Sequence, residues 1–193
     1  ISGYQIVDAA GEDKAPAAAV ALARSGEVAT LMKGHVHTDA LMKAVVNRDA
    51  GLRTGRRLSH VFHMTVPNSE RVLLITDGAV NVAPDTATKI DIINNAVQLS
   101  HALGNTKPHV AMLSGTESVI NAMPSSVDAA EVVRRANSGE VTGAVIDGPF
   151  AFDNAVSPEA ALLKGIDSPV AGNADVLVVP NIETGNGLFK MMV

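Results

Sequence analysis

Between residues 31 and 57 the chain reads LMKGHVHTDALMKAVVNRDAGLRTGRR, a segment that gathers three kinds of anion donor. Lys33, Lys43, Arg53, Arg56 and Arg57 carry positive charge, His35, His37 and Thr38 offer hydrogen bonds, and Gly34, Gly51 and Gly55 let backbone N–H groups approach a ligand closely. In Arg53-Thr54-Gly55-Arg56-Arg57, guanidinium forks match phosphate oxygens two at a time, and a threonine hydroxyl beside a glycine adds uncharged donors. The competing reading of these five residues is a solvated basic turn between a helix and a strand. The formal net charge of the chain is −5, which argues against nucleic acid or an anionic membrane as a partner. A local cationic cluster in an acidic protein fits a small phosphate-bearing ligand better.

Other residues are weaker candidates. His35, His37, His60 and His63 invite a metal reading, but no carboxylate stands at ligand spacing, so no metal site is expected. Asp77, Asp147 and Asp153 fall at or just after predicted strand ends, where catalytic carboxylates often sit. Turn and N-cap chemistry explains Asp147 and Asp153 equally well, whereas Asp77 has Asn81 to line the same edge. Gly185-Asn186-Gly187 opens a predicted helix, a generic anion site. The chain shows neither the G-x-G-x-x-G of a dinucleotide fold nor the G-K-[ST] of a P-loop.

The elements that must carry these groups follow from periodicity and punctuation. A length of 193 residues with 47% hydrophobic and only 3% aromatic content implies a core of aliphatic side chains, as buried parallel strands under Ala-rich helices require. Residues 4–7 and 28–32 read as strands, 16–25 as a helix closed by Gly26, and 38–50 as a helix ended by Gly51. Residues 59–66 and 71–76 form the one expected antiparallel pair, turning at Pro67-Asn68-Ser69. Pro84-Asp85-Thr86 leads into a helix stopped by Gly104. Then come a strand at 110–113, a helix at 126–137, a strand at 142–146 ending at Asp147-Gly148-Pro149, a helix at 153–164 with a possible start at Ser157, a strand at 174–179 and a terminal helix. Strands alternating with helices predict α/β architecture: a mostly parallel sheet with helices on both faces and right-handed crossovers. Cysteine is absent, and no apolar run approaches the ~20 residues that span a bilayer, so the expectation is a cytoplasmic protein without disulfides. Both ends read as cut, since the chain starts at Ile1 and stops in an apolar stretch without a helix stop signal.

Four stretches together resemble the phosphate acetyl/butyryltransferase family, in the family's own order: KGHVHTDALMKAVVNRDAGLRTGRRLSHVF, LLITDGAVNVAPD, DGPFAFDNAVSPEAA and SPVAGNADVLVVPNIETGN. The resemblance implies an isocitrate/isopropylmalate-dehydrogenase-like fold of two domains with an interdomain cleft. Residues 1–58 would be part of the first domain and 59–193 a second domain truncated before its return. It implies reversible transfer of an acetyl or butyryl group between coenzyme A and inorganic phosphate. Acyl-CoA and phosphate would be the small-molecule partners, coenzyme A a substrate and not a cofactor, and the assembly a homodimer. LRTG followed by LSHVF is more like the butyryltransferase branch, or the acyltransferase half of hydratase fusions, than the typical acetyl branch, and many acetyl-type members carry Cys where this chain has Gly78. Members continue to a Ser-Arg pair and an Asp credited with binding the acyl phosphate and activating the CoA thiol, so the catalytic groups are expected beyond Val193. The substrate-binding set is then Lys33, His37, Thr38, Arg53, Thr54, Arg57, Asp77, Asn81, Gly185 and Asn186. Two other functions remain open: a non-catalytic CoA- or phosphate-binding subunit, and a metal-dependent decarboxylating dehydrogenase, which would need an Asp cluster and a nicotinamide site.

Overall fold

A computed structural model describes residues 3–65 and 71–193. The predicted turn at Pro67-Asn68-Ser69 lies outside the described residues. The chain divides into two compact units, Ile1–Arg56 and Arg57–Val193.

The described part of the first unit holds two helices. In α1 (Lys14–Ser25), Pro16 sits in the first turn, and Gly26 closes the helix in the left-handed conformation at φ 80°. After α1 comes α2 (Thr38–Val45), with His37 extended at its N-cap. Gly51 does not end this helix. Asn47 ends it earlier, because its side-chain oxygen accepts from the N–H groups of Asp49 (3.0 Å) and Ala50 (2.9 Å) and turns the backbone away from helical geometry. Residues 4–7 and 28–32 are not strands. A β-former becomes a strand only when a neighbour completes its ladder. None does so here among the described residues, and Tyr4, Ile6 and Met32 stand largely exposed.

The second unit is a five-stranded sheet in the order β1-β2-β5-β3-β4. Its strands are β1 (Val61–Thr65), β2 (Val72–Thr76), β3 (His109–Leu113), β4 (Val145–Phe150) and β5 (Val176–Val178). β1 runs antiparallel to β2, and the other neighbours are parallel, as the pattern predicted. Strand alternation sorts the aliphatic side chains between two faces. Leu74, Val110, Met112, Val176 and Val178 pack with α3 (Thr86–Ala102) and α4 (Pro124–Arg135). Leu73, Ile75, Ala111, Leu113 and Leu177 pack on the opposite face with α5 (Phe152–Val156), α6 (Pro158–Leu163) and α7 (Ile182–Met191). Strand segments buried on both faces are apolar along their length, which is why Leu73-Leu74-Ile75 and VLV read as continuous runs.

Two local expectations change. The strand predicted to stop at Asp147-Gly148-Pro149 instead runs through to Phe150. Gly148, at φ 147°, lies so close to β3 that a Cβ would come within 2.7 Å of the Met112 carbonyl, and the register shift it marks lets an edge strand absorb a proline. The single helix predicted at 153–164 is two, split where the side chain of Ser157 caps α6 by accepting from Ala160 N–H.

Several carboxylates hold the outside of this unit together. Glu140 is held below its ordinary 4.5 by the Arg135 guanidinium, and Glu131 likewise by Arg134. Glu117 is lowered by its own backbone N–H and then Lys164, and Asp85 falls below 3.8 through the Thr88 N–H and hydroxyl. A carboxyl with a lowered folded value contributes stability that is whole above its unfolded value and is lost as pH falls through the folded one. Urea unfolding midpoints should therefore stay level from about pH 7 to about pH 5 and decline below about pH 4.5.

Candidate functional site at the sheet edge

All parallel strands end at one edge, where loops after an α/β sheet assemble sites. Asp77 and Gly78 leave β2 there, and Asn181 caps α7 just beyond β5 through its side-chain oxygen, which accepts from Thr184 N–H (2.9 Å). β1 is antiparallel, so residues 57–60, which precede it, arrive at the same edge.

Asp77 is 2% exposed, and its carboxylate is fully engaged. Oδ1 accepts from the N–H groups of Ala79 (2.9 Å) and Val80 (3.0 Å), while Oδ2 accepts from the N–H of Asn81 (3.2 Å) and its side-chain amide (2.7 Å). Four donors leave it no lone pair with which to act as a base on a substrate. Its role is to shape the loop and aim Asn81, whose amide also donates to the Leu58 carbonyl (2.9 Å).

Gly78 and Gly185 meet backbone to backbone. A Cβ at position 78 would lie 2.8 Å from the Gly185 carbonyl carbon and 3.1 Å from Asn186 N, and a Cβ at 185 would lie 2.7 Å from the Gly78 Cα. The nearest atom to either Cβ is backbone, so both positions require glycine here. Asn186 then donates to the Gly78 carbonyl at 3.3 Å, and Phe62 stacks on Phe189 with ring centres 3.7 Å apart. Gly78→Cys or Gly185→Ala should destabilise by about 1–3 kcal/mol, read as a lower melting temperature. A variant that melts unchanged would show that α7 yields freely.

Arg57 is held differently. Its backbone N–H donates to Asp91 Oδ2 (3.0 Å) and its carbonyl accepts from Asn95 Nδ2 (2.8 Å), both on α3. Its guanidinium is exposed and makes no hydrogen bond or ion pair with any described residue. It is a fixed backbone carrying a cation without a hydrogen-bonded partner among the described residues, and its charge contributes to lowering Asp85.

The structure thus brings five of the predicted residues, Arg57, Asp77, Asn81, Gly185 and Asn186, to one edge of the second unit. The other five stand in the first unit. Lys33 and His37 line a recess of about 570 Å³ together with Gly11, Glu12, Ala15 and His35. There Lys33 Nζ donates to the Val36 carbonyl at 3.1 Å, and His37 N–H donates to Glu12 Oε1 at 3.2 Å. Thr38 is the exposed first residue of α2. Arg53 and Thr54 lie exposed in the loop after α2, where Thr54 Oγ1 accepts from Arg56 N–H (3.2 Å). Among the described residues no three His, Asp or Glu side chains converge as a metal would require. No described helix is long and apolar enough to cross a membrane.

Sequence reasoning missed Asp91 and Asn95. Their spacing of four on a helix whose other face is Ile90, Ile93, Ala96 and Val97 marks them as neighbours on one polar face, but not what that face would meet.

A family profile described as Phosphate acetyl/butaryl transferase matches residues 4–193. A phosphate acetyltransferase of Rickettsia prowazekii is 48% identical over 193 residues, covering 100% of this chain and 55% of that protein. A phosphate butyryltransferase of Clostridium beijerinckii is 44% identical over 192 residues, covering 100% of this chain and 64% of that protein. Among solved structures, a branched-chain phosphotransacylase from Enterococcus faecalis V583 superposes with a TM-score of 0.86 at 38% identity, over 95% of this chain and 66% of the other. The chain therefore spans between about half and two-thirds of the length of these relatives.

Proposed function

The chain belongs to the phosphate acetyl/butyryltransferase family, and from that premise we propose that it serves reversible acyl transfer between coenzyme A and inorganic phosphate. The observation that carries the reading in the structure is Arg57, a guanidinium that no described residue engages, on a backbone clamped at the edge where the parallel strands end. In the forward direction a phosphate oxygen attacks the thioester carbonyl, the C–S bond breaks, and the CoA thiolate leaves and takes up a proton. Charge builds on the carbonyl oxygen and on sulfur, while the attacking phosphate must be held among cations despite its own charge. Donors fixed in advance lower that barrier, because they need no reorganisation as the charge appears.

In this proposal Arg57 orients phosphate within the second unit, where Gly185 and Asn186 act by closing α7 onto Gly78; Lys33, His37, Thr38, Arg53 and Thr54 are proposed as substrate-binding donors of the first unit. Asp77 and Asn81 act by shaping their loop. Acetyl-CoA and butyryl-CoA are the substrates to test, since one methylene in an apolar pocket discriminates by only about 1–3 kcal/mol. The same proposal includes the isocitrate/isopropylmalate-dehydrogenase-like fold with domains at 1–58 and 59–193, a cytoplasmic homodimer, and no cofactor besides the substrates.

The test is phosphate-dependent release of CoA from acetyl-CoA and butyryl-CoA, followed with a thiol reagent, on the polypeptide that carries this chain. Acyl phosphate formed in step with CoA supports the proposal. No phosphate-dependent release with either thioester would end it.

A further inference from the structure

Resting on the assignment of Arg57 to phosphate, we propose that Asp91 and Asn95 are positioning residues for that arginine. They lie four apart on α3, hence one above the other on one face of the helix. Between them they take both backbone polar groups of Arg57: Asp91 Oδ2 accepts its N–H at 3.0 Å, and Asn95 Nδ2 donates to its carbonyl at 2.8 Å. The Asn95 amide also reaches Ser59 Oγ at 2.9 Å, which ties the next turn of chain to the same helix.

The grip continues along the segment. Asn81 Nδ2 donates to the Leu58 carbonyl at 2.9 Å, and Thr76 Oγ1 donates to the His60 carbonyl at 2.8 Å. The carbonyls of Arg57, Leu58 and His60 are therefore all taken by side chains, from α3, from the Asp77 loop and from β2. This mount holds the segment in the second unit ahead of the first residue of β1.

Packing does not require the α3 pair. The helix is already fixed to the sheet by Ile90, Ile92, Ile93, Ala96 and Val97, each at most 6% exposed. Asp91 and Asn95 are only half-buried, and their hydrogen bonds hold the backbone of Arg57, whose guanidinium makes no hydrogen bond or ion pair with a described residue. A charged acceptor on a neutral N–H also makes a stronger bond than a neutral one would. The consequence is a guanidinium with a fixed origin, which restricts where its donors can reach.

Releasing the Arg57 carbonyl removes one of its two backbone anchors, so Asn95→Ala is expected to lower kcat/KM about 10- to 100-fold, the scale of a misplacement near 1 Å. The loss should appear chiefly in kcat, as for Arg57→Ala, and the KM for the thioester should move little. The decisive measurement is a double-mutant cycle. If Asn95 acts through Arg57, Asn95→Ala costs less than about threefold in an Arg57→Ala background. Asp91→Asn, which keeps an oxygen acceptor in the same shape, should restore most of what Asp91→Ala loses. Asn95→Asp keeps the volume while removing the donor, and serves in the same cycle if Asn95→Ala unfolds.

Equal losses in both backgrounds, or an undiminished Asn95→Ala enzyme alongside a damaged Arg57→Ala enzyme, would overturn the positioning role and leave Arg57 in place. An Arg57→Ala enzyme of full activity would overturn both the assignment of Arg57 and the inference built on it.

Discussion

Arg57→Ala is expected to lower kcat for phosphate-dependent CoA release by about 10²–10³-fold while leaving the melting temperature nearly unchanged. The size follows from removing one fixed donor from a site where charge develops, about 2.7–4 kcal/mol in the transition state. The separation from stability follows from the structure: the side chain is exposed and makes no hydrogen bond or ion pair with a described residue, so truncation leaves no buried partner unsatisfied. Arg57→Lys should recover only part of the rate, because an ammonium offers a point charge where the guanidinium offers two parallel donors. Measuring kcat and KM for phosphate and thioester separately distinguishes lost transition-state stabilisation from lost binding. A kcat within about threefold of the parent would remove Arg57 from the site.

The second large effect concerns stability alone. Lys89 is 3% exposed, on α3, and its ammonium reaches Asp128 Oδ2 on α4 at 3.0 Å. Breaking a buried pair by deleting one partner leaves an uncompensated charge and costs about 3–5 kcal/mol. The Asp128 side chain is 42% exposed, so water can reach part of the gap left by Asp128→Ala. We therefore expect the lower end, about 3 kcal/mol, or a melting temperature lower by about 6–12 °C for a chain of this size. Lys89→Met, similar in volume and uncharged, should cost far less, because burial then requires no partner. If Asp128→Ala melts within about 2 °C of the parent, the pair contributes nothing to holding α3 against α4.

How far the chain could be read from its sequence differs between its two units. The strands of the second unit were legible because VLLIT, HVAML and VLV are buried on both faces, and an aliphatic run between turn residues has few other destinations. Asp85 before Thr86 and Ser157 before Pro158 announced their helices through caps that the structure forms, whereas α7 starts at Ile182 behind the Asn181 cap, a turn before the Gly185-Asn186-Gly187 expected to open it. Residues 4–7 and 28–32 carry the same β-forming side chains without becoming strands, since propensity cannot supply the neighbouring strand that a ladder needs.

The site was legible by residue type and less so by role. Asp77 was correctly placed at a sheet edge, but Asp-Gly-Ala-Val-Asn also carries the signal of a side chain turning back on its own loop, and that is what the carboxylate does. Arg57 stood out by charge. What holds it came from residues 34 and 38 positions further along, and no local pattern reports a contact of that kind.

The contact between Gly78 and Gly185 has a consequence for descent. Positions 107 residues apart in the chain are bound into a single heritable choice, because a side chain at either one collides with the backbone of the other. A thiol after β2 in this chain would have to push the Gly185 turn of α7 away, whereas the glycine pair lets the helix lie against the loop. Two letters of this sequence thus set how tightly this edge is shut.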